Sequence, residues 1–142
     1  MQEDMILLIK LNNKIFRTTQ VYLDKALKEF GLSSGSYPYL LVLNKNEGIS
    51  QSQISKEIGY DKAMSARTIT KLINLGYLDR KEDESDSRAY KLYLTGKAKI
   101  IIPKILDEIN KLANSITVNL SEEEKSITMD SLSKILNNIK NI

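Results

Sequence analysis

Residues 50–95 read SQSQISKEIGYDKAMSARTITKLINLGYLDRKEDESDSRAYKLYLT, and the order of start and stop signals in them decides the fold. Ser50-Gln51-Ser52-Gln53 is a capping box, in which a serine hydroxyl and a glutamine three residues on satisfy each other's backbone N–H groups. The box opens a helix that ends at Gly59, a residue free to take the left-handed conformation that terminates helices. Asp61 then caps a second helix over residues 62–75, stopped by Gly76. Ile58-Gly59-Tyr60 is the tight, glycine-containing turn of a helix-turn-helix, and small Ser55 lets its two helices approach closely. After Gly76 the hydrophobic period changes from 3.6 to 2. Residues 77–81 and 89–95 read as short strands, the second alternating Tyr90, Leu92 and Leu94 against Lys91 and Tyr93. The polar residues 82–88 form the loop of that hairpin.

Working outward, Gly31 and Gly48 end two further helical stretches. The first helix spans residues 2–30, with Leu8, Leu11, Ile15, Tyr22 and Ala26 on one face, widened by Ile9, Phe16, Leu23, Leu27 and Phe30. At roughly 40 Å it is long for so small a domain, and its wide apolar stripe is expected to bury partly against a second subunit. A helix over 37–45 is capped by Ser36 and tolerates Pro38 in its first turn. Downstream, Thr95 caps a helix to about residue 118, which Pro103 is expected to bend or break. Ser121-Glu122-Glu123-Glu124 is a second capping box, opening a last helix through Ile127, Leu132, Ile135, Leu136 and Ile139. The fold class is therefore mainly α: a winged helix-turn-helix of three short helices plus a two-stranded β-hairpin wing. It forms one domain, 1–142. Residues 33–96 make the winged helix-turn-helix lobe, flanked by long helices at 1–32 and 97–142 that are expected to serve dimerisation.

Composition narrows the chemistry. Among 142 residues there is no cysteine and no histidine, which excludes thiol catalysis, disulfides and thiol-based redox sensing and removes the usual neutral-pH general base. Clusters such as Glu122-Glu123-Glu124 and Asp83-Glu84-Asp86 belong to caps and loops, so no catalytic residue, metal ligand or cofactor is assigned and no enzyme is expected. The longest apolar runs, 5–9 and 100–103, are far short of a membrane span. Glu3 and Asp4 stand where a signal peptide carries positive charge, so a cytoplasmic protein without a membrane partner is expected. The net charge is +3, spread evenly along the chain, and by itself is weak support for a nucleic-acid partner.

The helix at 62–75 carries the functional signal. Ile69, Leu72 and Ile73 make its buried stripe, and the opposite face shows Lys62, Ala63, Ala66, Arg67, Thr70, Lys71 and Asn74. Small residues permit approach to a major groove, Arg67 can bond guanine with two N–H groups, and Thr70 can donate or accept. Lys62 and Lys71 at the edges suit phosphates. So do Ser52, Gln53 and the free N–H groups that begin the preceding helix.

Asp86-Ser87-Arg88-Ala89-Tyr90-Lys91-Leu92-Tyr93-Leu94-Thr95 resembles the wing of the MarR family of winged-helix transcription regulators. Residues 61–80, ending Leu75-Gly76-Tyr77-Leu78-Asp79-Arg80, are similar to its recognition helix and first wing strand. The resemblance spans nearly the whole chain. It implies a sequence-specific, dimeric regulator, most often a repressor, whose two recognition helices enter successive major grooves of a pseudo-palindromic double-stranded operator. It places Arg88 in the adjacent minor groove, with Asp86 orienting that arginine or bracing the wing. In many members of that family a small aromatic or phenolic effector binds between the dimer helices and the reading head and releases DNA; a constitutive repressor without a ligand is the alternative. Tyr22, Tyr37 and Tyr39, with Arg17 as counter-charge, can line such a pocket. They read more readily as core or interface residues, so no ligand-binding residue is named.

Two features depart from the family pattern. Ser87 replaces a common basic residue and the wing tip, Glu82-Asp83-Glu84, is acidic. Ser65 and Thr68 are small where larger apolar groups are common, so looser packing of the recognition helix is expected. The alternative function is a winged-helix protein-interaction or dimerisation module that does not bind DNA.

Overall fold

The two capping boxes form as their spacing requires. In the computed structural model Ser50 Oγ accepts from Gln53 N–H at 3.1 Å and Gln53 Oε1 from Ser50 N–H at 2.9 Å. Ser121 and Glu124 repeat the arrangement. The structure describes residues 2–83 and 85–142, and the side chains of all of these except Gln2, Glu3, Asp83, Asp86, Ser87, Arg88 and Ala89. The elements are α1 (Gln2–Ala26), a 3-10 turn (Lys28–Phe30), α2 (Tyr37–Lys45), α3 (Gln51–Ile58), α4 (Lys62–Asn74), β1 (Leu78–Asp83), β2 (Asp86–Leu94), α5 (Gly96–Ile116) and α6 (Glu122–Lys140). None of the described helices is long and apolar enough to cross a membrane.

The chain divides into two compact units, Met1–Ile109 and Asn110–Ile142. In the first, Leu27, Tyr39, Leu40, Leu43, Ile54, Ile69, Leu72, Leu92 and Ile105 have no solvent exposure and form the core beneath the helix-turn-helix. The end of α1 joins it through Leu23, and Leu27 follows just after the helix. From residue 4 to residue 22 no α1 side chain is buried. The second unit leaves Ile127, Met129, Leu132, Ile135, Leu136 and Ile139 of α6 exposed.

The structure differs from the sequence expectations in several places. The first helix, expected over residues 2–30, ends at Ala26, and a 3-10 turn covers Lys28–Phe30. Ser36 does not cap α2: its side chain makes no cap bond and instead accepts from Ser33 N–H at 2.9 Å. The helix start is served by Ser33, whose carbonyl accepts the Ser36 and Tyr37 N–H groups. Pro103 lies inside α5, which continues past it. A proline in a helix interior costs about 3 kcal/mol, but buried Ile101, Ile102 and Ile105 flank it, each contributing about 1.5–3 kcal/mol. The hairpin is longer than its alternation suggested, with β1 reaching Asp83 and β2 starting at Asp86. Asp79, Arg80, Lys81 and Glu82 of β1 are all exposed, so no buried side imprints a period on that stretch. Finally, the segment before α3 pairs with β2: Gly48 N–H donates to Leu92 C=O and Leu92 N–H to Ile49 C=O, and Ser50 bridges to Lys91.

Candidate nucleic-acid interface

The turn between α3 and α4 is set by a glycine and a serine. Gly59 has φ +86°, a conformation that L side chains rarely adopt. Ser55 is buried, and its hydroxyl donates to Tyr60 C=O at 3.1 Å, locking the turn to the helix before it. Asp61 Oδ1 then accepts from Met64 N–H at 2.7 Å and starts α4.

On α4, Ile69 and Leu72 are fully buried and Ile73 partly so, as the periodicity implied. Lys62, Ala63, Arg67, Thr70, Lys71 and Asn74 are exposed and Ala66 is half-buried. The expected reading face is therefore one open surface along a 13-residue helix. Ser52 and Gln53 are exposed at the start of α3. The Gln53 carbonyl oxygen and N–H are engaged in the capping box. Its side-chain NH₂ and the Gln51 and Ser52 N–H groups are what this helix start offers an anion.

Ser65 does not loosen α4. It is fully buried, with its hydroxyl 2.9 Å from that of Tyr39, so a polar pair fills the space an apolar side chain would take. Thr68 bonds back to Met64 C=O at 3.0 Å. Ser65→Ala strands a buried phenol and is expected to lower unfolding free energy by about 1–3 kcal/mol. The double variant Ser65→Ala, Tyr39→Phe is expected to recover part of that loss, because removing both partners leaves nothing unsatisfied. Urea unfolding of the two variants checks the pair.

On the wing, Leu78 faces Leu94, Arg80 faces Leu92 and Glu82 faces Tyr90. Cations cover its tyrosines diagonally: Arg80 lies 5.1 Å from the Tyr90 ring centre and Lys81 4.7 Å from that of Tyr93. Beyond Tyr90 the register shifts, Asp83 pairing with Asp86, so Ser87, Arg88 and Ala89 fall in an irregularity of β2. The expected roles of Arg88 and Asp86 concern side chains outside the described residues.

A family model described as the MarR family matches residues 30–89. The HTH-type transcriptional regulator BilQ of Clostridioides difficile is 35% identical over 105 residues, covering 74% of this chain and 71% of that protein. The chain belongs to the MarR family. Like the relatives it matches, it is a DNA-binding transcriptional regulator. The MarR protein from Peptoclostridium difficile is 30% identical with a TM-score of 0.91, covering 94% of this chain and 88% of that one. The mutant MarR from E. coli complexed with operator DNA shares the fold, with a TM-score of 0.85 at 19% identity over 94% of this chain and 96% of that one.

In this MarR-family chain the rings of Tyr39 and Tyr60 lie side by side, their centres 6.4 Å apart. Tyr39 is core, Tyr22 is 41% exposed, and burial with Tyr60 beside it pushes the Tyr37 phenol pKa up. A cavity of about 380 Å³ opens beside Glu29, Phe30, Pro103, Lys104, Asp107 and Glu108.

Proposed function

We propose that the chain acts as a homodimeric repressor that sets α4 of each protomer into successive major grooves of a pseudo-palindromic operator. The single observation that carries this reading is the open face of α4, where Arg67 and Thr70 stand between Lys62 and Lys71 on a helix buried along its other side. Arg67 and Thr70 read base edges across small Ala63 and Ala66. Lys62, Lys71, Ser52 and Gln53 hold phosphates, and Arg88 at the bulged wing enters the minor groove with Asp86 supporting it. The operator-bound E. coli MarR, which has this fold, supports the mode of docking.

The dimer is supported by the apolar surface that each unit leaves uncovered. Leu8, Leu11, Ile15 and Phe16 of α1 are 38–63% exposed, and α6 carries its own row of exposed isoleucines and leucines. Contiguous apolar surface on this scale marks an interaction site, and a second copy supplies the same faces in return.

Anisotropy titrations over a range of salt concentrations test the reading. Lys62→Ala and Lys71→Ala are each expected to reduce the slope of log K against log salt by about 1, weakening cognate and shuffled duplexes alike. A flat salt dependence of the wild type would point to a protein partner.

A further inference from the structure

Tyr77 joins three elements where the recognition helix ends. Its N–H donates to Leu72 C=O at 3.0 Å while Gly76 N–H donates to Ile73 C=O at 2.9 Å, the pair of bonds that closes a helix in a Schellman motif. Its carbonyl accepts from Thr95 N–H at 3.1 Å, at the start of α5. Its hydroxyl donates to Phe30 C=O, at the end of the turn that closes α1. Neighbours reinforce the junction. Thr95 Oγ1 donates to Gly76 C=O and Lys97 Nζ to Leu75 C=O, each at 2.6 Å. The Lys97 ammonium lies 4.8 Å from the Tyr77 ring centre.

We propose that Tyr77 is a positioning residue that fixes the C-terminal end of α4 relative to α1, and so fixes the separation of the two recognition helices in the dimer. The inference rests on the dimeric DNA-binding reading above. The exposed part of α1 is the proposed subunit contact, and Leu23 and Leu27 anchor its other end in the core. The link from that anchored end to the recognition helix crosses the hydrogen bond from Tyr77 to Phe30. Burial pushes the Tyr77 phenol pKa up. A change of one base pair in half-site spacing moves the grooves by roughly 3.4 Å along the duplex and turns them by about a tenth of a helical turn, so a small change in the set of α4 against α1 is read out as a change in preferred spacing.

The test is selection of duplexes from a random library by the full chain, comparing wild type, Tyr77→Phe and Ile49→Val. Tyr77→Phe keeps the ring over Lys97 and removes only the hydroxyl. Ile49→Val trims the core without touching the junction. The wild type is expected to enrich paired half-sites at one dominant spacing. Tyr77→Phe is expected to enrich the same half-site sequence, with sites one base pair off that spacing gaining about 2- to 10-fold, the population change that one net hydrogen bond supports. Ile49→Val is expected to keep the wild-type spacing. An unchanged spacing profile in Tyr77→Phe, or equal broadening in Ile49→Val, overturns the inference while leaving the DNA-binding reading intact. Failure of the wild type to enrich any paired motif sinks that reading and the inference with it.

Discussion

Leu11→Glu is expected to leave a folded monomer that has lost operator binding. Leu11 is 48% exposed on a stretch of α1 that buries no side chain of its own, so a glutamate there costs the isolated protomer little. In the proposed dimer the same carboxylate is set into an apolar subunit contact, where desolvation of the charge opposes association. Without the second protomer each recognition helix binds its half-site alone, and the gain from linked binding, on the order of 10²–10⁴, disappears. Light scattering and anisotropy on one sample separate the two effects. A dimer that still binds would move the subunit contact away from α1.

Arg67→Ala is the second large effect, and it differs in kind. The side chain is exposed at the middle of the α4 reading face, so its removal disturbs no packing and unfolding free energy is expected to change by less than about 0.5 kcal/mol. Binding to the operator is expected to weaken by roughly 1–3 kcal/mol per half-site, with discrimination relaxed at the base pair it contacts. Binding to a shuffled duplex changes far less, because a base-reading arginine contributes mainly to the specific term. Equal losses on both duplexes would reassign Arg67 as a phosphate contact.

The elements legible in the sequence are those governed by residues three or four apart. Both capping boxes, the Asp61 cap and the Gly59 turn need nothing beyond their own segment, and each forms where its spacing placed it. The exposed face of α4 follows from the same local period. Contacts between distant segments left no such mark. Ser65 reads locally as a small residue in a place suited to a larger one, and only the fold brings Tyr39, 26 residues away, to its hydroxyl. Tyr77 reads as the first residue of a strand. Its role in closing α4 was available from its place directly after Gly76, but its bond to Phe30 spans 47 residues and has no sequence signal. Pro103 shows the opposite case for a break, since α5 continues past it with buried Ile101, Ile102 and Ile105 around it.

The most direct test of the account is recovery of genomic DNA fragments by the purified wild-type chain, followed by sequencing and by sedimentation of the bound species. The account predicts a small set of enriched fragments sharing an inverted repeat, with half-site centres roughly 10 base pairs apart and two chains per fragment. Uniform recovery of fragments, without a shared repeat, would contradict it.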